Sequence, residues 1–413
     1  MGEVAVATAD ERASTLRGTG FWFLWANAVS LSLIVSADRF TFLWLVEDVL
    51  GSPTWASGLI VFALGAPVCA LVLTAGALAD RVDRRRMLLT TQTGGLLVVT
   101  AGAVLVWTDL IDLTTAVLLA VAFGTAVAFA MPVRSSLLPA LVGRERVMQG
   151  VVLLTIGSNV AMIAGPLLVG GVIDVHGVGW AFAVQAGCFA LGFAAAYRIR
   201  VPPHPVVTDR RRLRTEIAEA LRFIWHHEVL RALFLLLSVG GGLMGGGAFT
   251  LLPQIARDEF GRDAAEAARL FALMGLGMMI TSFALMRYRS RLRRRGLVFI
   301  GFMVVGTSIQ ILQGAAPSFL VLEGLLLLWG LSGGFYMNLN QALIQELTPV
   351  DRMGRVMALN AMVNAGLLPL GGLAAGLLAT AIGGRAALST FGAIGLVCVL
   401  TALVRARGLR SLV

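Results

Sequence analysis

The residue in this chain with the clearest capacity for chemistry is Asp38, which stands among apolar neighbours in LSLIVSADRFTFLWLV (Leu31–Val46). An ionisable group in such a run costs at least roughly 2.5 kcal/mol near the centre of a bilayer, so it defaults to a functional candidate facing a cavity. At about 100° per residue, Asn27, Ser30, Ile34, Asp38 and Thr41 fall on one stripe of the helix. A mostly polar stripe on an apolar helix points to a water-accessible cavity. Burial there would favour the neutral form of Asp38, as a reversible proton carrier requires. Two roles stay open for it: binding a proton or cation, or a structural partnership with Arg39, the outer surface or a neighbouring span. Arg39 is turned about 100° away on the helix, so it either snorkels outward or pairs with another helix.

A second acid, Glu323, shares a helix face with Gly330, Gly334, Asn338 and Gln341, which suits either a cavity or close packing; Glu323 itself is either a proton- or substrate-binding counterpart of Asp38 or a solvated span end. Asn159, Asn360 and Asn364 can bind polar groups of a substrate or hydrogen-bond between helices. The run GGGLMGGGAF (Gly240–Phe249) is either a gating hinge or a close-packing surface, since each glycine weakens a helix by about 1 kcal/mol. His226 and His227 lack metal-ligand spacing and read as surface residues; Cys69, Cys188 and Cys398 each sit in an apolar run and read as packing residues. Neither a catalytic constellation nor a metal site is expected. With no lysine anywhere, no phosphate-binding G-x-x-x-x-G-K-[ST] loop exists. An ion gradient or the substrate's own gradient, with no cofactor, is the expected energy source.

The elements that must position these residues are membrane helices. Of 413 residues, 58% are hydrophobic and 14% charged, whereas a soluble domain carries roughly 25% charged residues. Apolar runs give twelve spans, near 21–46, 55–79, 87–107, 114–133, 150–173, 180–200, 229–253, 265–286, 297–314, 318–341, 355–381 and 385–404. The net charge of +10 sits in short loops between them, which excludes nucleic acid as the partner and makes the arginines topology signals. Arginine-rich segments alternate with acidic loops such as Glu47–Ser52 and Thr108–Leu113. The positive-inside rule therefore predicts a multi-pass protein of the plasma (cell inner) membrane with both termini cytoplasmic. No cleavable signal peptide is expected in the polar residues 1–20.

Val201–His227 is the longest polar stretch. It predicts a cytoplasmic linker whose later part is an amphipathic helix on the membrane surface, with an apolar face of Ile217, Leu221 and Ile224. The linker divides the chain into a cytoplasmic segment (1–20), a six-span bundle (21–200), the linker (201–227), a second six-span bundle (228–404) and a tail (405–413). A shift of 206 residues lays LLPALVGRERVMQGV over LIQELTPVDRMGRVM and puts Gly165 on Gly371. The expected fold is thus an all-α membrane protein of twelve helices in two pseudo-symmetric six-helix bundles, built by duplication.

The loop GALADRVDRRRM (Gly76–Met87), through Gly76, Asp80, Arg81, Arg84, Arg85 and Arg86, resembles the signature G-x-x-x-D-R/K-x-G-R-R/K of the major facilitator superfamily, with Asp83 where that pattern has glycine. In the fifth span, GSNVAMIAGPLLVGG is similar, through Gly165, Pro166 and Gly170, to a pattern of that superfamily's proton-exchanging exporters; Val169 replaces one glycine. The fourth span lacks the arginine of many drug and proton antiporters and instead ends in MPVRSSLLPALV, with Arg134 near its inner end. That ending, with Asp38, looks like the branch of macrolide-efflux-like and enterobactin-exporter-like carriers.

The resemblance implies a secondary active transporter, with its bundles around a central cavity open to each face in turn. The expected activity is export of small amphipathic compounds (antibiotics, secondary metabolites or siderophores) in exchange for protons, by a monomer in the lipid bilayer. It also implies that Asp80 sits near the N-terminal end of the eleventh helix around Arg355, as a releasable gate. An uptake permease of the same fold, or a receptor or assembly protein on this scaffold, are the alternatives.

Overall fold

Inside hydrocarbon only helices and closed barrels satisfy every backbone group, and the described residues of this chain form helices with no strand among them. The computed structural model describes residues 19–79, 82–142, 146–199, 213–288, 294–349, 352–410 and 412. The helices are α1 (Thr19–Val49), α2 (Thr54–Ala79), α3 (Arg84–Trp107), α4 (Leu113–Val142), α5 (Val147–His176) and α6 (Val178–Arg198). They continue with α7 (Leu213–His226), α8 (Glu228–Glu259), α9 (Ala264–Tyr288), α10 (Arg295–Gly314), α11 (Phe319–Leu347), α12 (Met353–Ile382), α13 (Gly384–Arg405) and the short α14 (Arg407–Arg410). Twelve, α1–α6 and α8–α13, are long and apolar enough to cross a membrane.

Local chemistry sets the helix ends. The Asp83 side chain accepts from the Arg86 N–H at the start of α3. Asp112 and Thr115 exchange backbone-to-side-chain hydrogen bonds of 2.7 and 2.8 Å before α4, a reciprocal cap that holds the Asp112 carboxyl below its usual range. The duplication is visible in the backbone itself. α5 and α12 are both 30 residues long, are preceded by Arg146 and Arg352 in similar conformations, and end at Gly177 (φ 86°) and Gly383 (φ 85°). Every one of these features recurs 206 residues later. Only glycine adopts that φ without strain, so the sharp return into the next helix is a glycine position in both copies.

Packing divides the chain into two compact units, Met1–Phe42 with Ala70–Thr208, and Leu43–Cys69 with Asp209–Val413. The units of packing differ from bundles drawn at 21–200 and 228–404 by one exchange: residues 43–69 pack with the second. In the first unit Phe21, Leu24, Leu88, Val133, Leu137 and Ala196 bury one another at one end, while the Phe189 and Phe182 rings of α6 lie against Gly95 and Gly102 of α3. In the second unit backbones meet directly. A Cβ at Gly371 of α12 would stand 2.0 Å from the Gly242 carbonyl oxygen of α8, and one at Gly58 of α2 would stand 2.8 Å from the Gly372 oxygen.

The Gly240–Phe249 stretch packs closely and is also wound unusually. Val239–Gly246 forms a π-helical turn inside α8, Gly240 lies under the Tyr336 ring, and Gly246 lies on Gly371 and Gly372. The linker helix α7 corrects one expectation. Ala220 and Ile224 are buried, but Leu221 is 53% exposed and Trp225 58% exposed; the Ile217 side chain lies outside the description. α7 sends Ile224 and, one turn earlier, Ala220 inward, which leaves Leu221 and Trp225, four residues apart, as a second apolar line facing outward.

Replacing Gly371 by Val places side-chain atoms on the α8 backbone, which cannot retreat as a flexible side chain would. We expect Gly371→Val to destabilise the protein by about 1–3 kcal/mol or more, read as a lowered thermal unfolding temperature in detergent; an unchanged transition would contradict the backbone contact.

Candidate functional site

The site begins on α1. Asn27, Ile34, Asp38 and Thr41 are all fully buried, and their partners come chiefly from α6. Asn27 donates to the Gly192 carbonyl at 2.8 Å, Ser30 to the Cys188 carbonyl at 2.6 Å, and Gln185 to the Thr41 hydroxyl at 2.9 Å. The polar stripe is therefore hydrogen-bonded into the α1–α6 seam, and the water-lined cavity expected along it is not what it faces in this arrangement. Backbone carbonyls of α6 take the place of water because Gly192 admits the α1 side chains to within hydrogen-bond reach.

Arg134, on α4, joins this seam by donating from Nε to the Asn27 Oδ1 at 2.8 Å, and its Nη2 is buried with no hydrogen-bond partner. The opposite side of α1 rests on α5. Ser32 and Ser158 share a 2.9 Å hydrogen bond, with half-buried Asn159 next to it. Gly165, Pro166 and Gly170 are buried, and a Cβ at Gly165 would stand 2.2 Å from the Ser36 hydroxyl.

Asp38 is the exception in this seam. It is fully buried, and neither of its oxygens has a hydrogen-bond partner. Arg39 is half-buried beside it and its charge acts on Asp38. One turn further along α1, Thr41 accepts from Gln185, whose own Oε1 is also buried and unsatisfied.

The second unit treats its expected site residues differently. Glu323, near the start of α11, is paired with Arg269 of α9, whose side chain is 48% exposed and also lies 3.7 Å from Glu266. Gly330 and Gly334 press on Met274 and Met278 of α9, so that face of α11 is mostly a helix seam. Asn338 donates to Ser282 of α9 at 3.2 Å and, with Gln341, lines a pocket of about 510 Å³ that also includes Arg295 and Glu346. Asn360 is buried with its Oδ1 unpartnered, and Asn364 donates to the Asn360 carbonyl at 3.0 Å.

Of the expected gate, Gly76 is half-buried with open space where a Cβ would stand, and Arg84 is half-buried. Asp80 and Arg81 lie outside the described residues. Arg355 donates to Glu219 of α7 at 2.8 Å.

A cluster absent from the sequence reading lies where α1 ends. Glu47–Ser52 reads as an acidic loop, yet α1 continues through a π-helical turn, Leu45–Val49, and Glu47 is 4% exposed. Ser57 of α2 donates to Glu47 Oε1 at 2.8 Å, and Glu47 Oε2 is buried without a partner. From α8, Arg257 donates to the Glu47 carbonyl oxygen at 2.5 Å and lies 3.2 Å from Asp48. Gln254 donates to Thr54 at 2.7 Å. α8 also ends in a five-residue π turn, Ile255–Glu259. The signal in the sequence is the likeness of LVEDV to IARDE at corresponding helix ends.

Comparison with known proteins places this arrangement. The family model of the Major Facilitator Superfamily matches residues 13–368. Among curated proteins, the multidrug efflux pump Tap of Mycolicibacterium fortuitum is 27% identical over 379 residues, covering 88% of this chain and 89% of its own. The enterobactin exporter EntS of Shigella boydii is 26% identical over 335 residues, covering 78% and 77%. Among solved structures, the nucleoside transporter NupG superposes with a TM-score of 0.72 at 12% identity, covering 94% of this chain and 98% of its own. A peptide transporter POT in complex with sulfate gives 0.73 at 15% identity, covering 96% and 97%. At such identities the structures establish the fold alone.

Because Ser57 supplies the hydrogen bond that a buried carboxyl needs, Ser57→Ala should destabilise the protein by about 1–3 kcal/mol, while adding Glu47→Leu to it should recover most of the loss. Thermal unfolding of both variants checks this; equal stability of Ser57→Ala and wild type would remove the cluster's structural role.

Proposed function

This chain belongs to the major facilitator superfamily, and on that premise we propose that it is a proton-coupled exporter of small amphipathic compounds, antibiotics or siderophores among them. Two named exporters aligned over most of its length support the direction. The observation that carries the coupling is Asp38, a carboxyl buried in a membrane helix whose two oxygens meet no donor.

An ionisable residue kept in that position, when neighbouring polar groups of α1 are all hydrogen-bonded, needs a reason beyond packing. A proton bound at Asp38 makes the carboxyl neutral, the form that a buried site without a donor favours. When the bundles change arrangement and water reaches α1, the proton leaves and substrate takes its turn. Repeat-built carriers alternate by rocking one repeat against the other around a fixed site, and the close seams of α1 with α5 and α6 would let the first unit move as a body.

In this reading the proton gradient is the energy source and no cofactor takes part. The protein acts as a monomer in the plasma membrane with both termini cytoplasmic, and Asp80 and Arg81 belong to a charged latch on that side. Its relatives are transporters, which are not enzymes.

Reconstituted in proteoliposomes with a labelled macrolide and a labelled catecholate as probes, Asp38→Asn should lose flux driven by a pH gradient while retaining exchange of labelled for unlabelled probe. Gradient-driven flux at the wild-type rate would overturn the assignment, and net flux opposite to export would favour an uptake permease. Asp80→Asn should reduce transport without lowering the amount of protein in the membrane, measured by quantitative blotting of the same vesicles.

A further inference from the structure

Outside the transport site, the linker helix α7 and the start of α12 enclose a pocket of about 520 Å³ lined by Glu219, Arg222, Phe223, His226, Arg352 and Arg355. Three guanidinium groups and one carboxylate are among the groups that line it. Their arrangement is specific. Arg355 pairs with Glu219 at 2.8 Å, with side chains 33% and 57% exposed, and so open an ion pair contributes little and yields readily to a stronger anion. The Arg352 guanidinium lies 4.7 Å from the centre of the Phe223 ring, and stacking fixes the plane of its donors. Arg222 is exposed, one turn before His226, whose Nδ1 lies 2.7 Å from the Arg222 carbonyl oxygen.

The other side of the same helix says where an anion would come from. Leu221 and Trp225 are both more than half exposed and stand one turn apart, so α7 presents an apolar line next to a cationic pocket. That combination seats a helix at the boundary of headgroups and acyl chains. Membrane spans start at both edges of the pocket, α8 at Glu228 and α12 at Met353. In the sequence, arginines at 210, 211, 212 and 214 precede Glu219, and basic residues clustered close in sequence to a span draw anionic lipid. Arginine binds phosphate oxygens through paired N–H donors, and the pocket is far larger than inorganic phosphate requires.

We propose that this pocket binds the phosphate headgroup of an anionic phospholipid, which holds α7 against the first turns of α12. Arg222, Arg352 and Arg355 contact the phosphate oxygens, Leu221 and Trp225 lie along the acyl chains, and Glu219 competes with the headgroup for Arg355. The ligand belongs to the bilayer, so the site works whatever the transported substrate is.

The test uses the purified full-length protein in detergent, with retained lipid counted by native mass spectrometry after addition of phosphatidylglycerol or phosphatidylcholine. Phosphatidylglycerol should be retained and phosphatidylcholine lost. At about fivefold per arginine near a membrane surface, the double variant Arg222→Gln/Arg352→Gln should weaken phosphatidylglycerol retention about 25-fold. Glu219→Gln removes the competing carboxylate and should strengthen it severalfold, a gain that no folding defect imitates. Equal retention of the two lipids, or unchanged retention in Glu219→Gln, would overturn the proposal. So would thermal stabilisation by inorganic phosphate alone equal to that given by phosphatidylglycerol, since the ligand would then be a soluble anion.

Discussion

Between helices already surrounded by hydrocarbon, burying apolar area gains little, so association depends on how closely backbones approach and on polar bonds across the seams. The whole fold follows from that constraint. α8 meets α12 at Gly242 and Gly371, α2 meets α12 at Gly58 and Gly376, and α9 meets α11 at Gly330 and the Met274 carbonyl. Each contact would be closed by a single Cβ. The exchange of residues 43–69 between the units of packing has the same origin: α2 joins the second unit because Gly58 and Gly65 lie on α12.

The same constraint sorts the polar residues. A side chain that reaches a neighbouring backbone or an opposite charge becomes part of a seam, and most of them do. Asn27, Ser30 and Thr41 bond to α6, Glu323 to Arg269, and Glu47 to Ser57. Once these partners are assigned, Asp38 stands out by what it lacks. Among the described residues it is the buried carboxyl whose two oxygens both lack a hydrogen-bond partner, and this separates it from Glu47, which has one.

Much of the fold was legible in the sequence because span length, hydropathy and turn glycines are local properties. The register of 206 residues, read from two short similar stretches, reappears in the matched bounds of α5 and α12. What escaped was decided across helices. The acids at 47 and 48 read as a loop because acids rarely enter a span, and nothing in LVEDV announces that Ser57 and Arg257 will meet it. Periodicity placed Asn27, Ser30 and Thr41 on one face, and all three bond to α6, but it does not say whether that face meets water or a helix. For Leu221, spacing alone made one apolar face where the helix has two lines with different neighbours.

The two copies share several backbone features and differ in where their charges lie. The glycine returns at 177 and 383, the caps at 146 and 352, and the π turns that end α1 and α8 are shared. By contrast α1 has Asp38 in its interior, while α8 has no ionisable residue between Arg231 and Arg257. On α4 Arg134 is partly satisfied by Asn27, and the position 206 residues later on α11 is Asn340, a neutral side chain whose Oδ1 is buried and unsatisfied. A backbone duplicated for packing tolerates little change in either copy, since glycine contacts close on any added atom. Side chains that touch no neighbouring backbone are free to diverge. The charges of Asp38, Arg39 and Arg134 are thus replaced 206 residues later by Met244, Gly245 and Asn340, while the same helix contacts are kept.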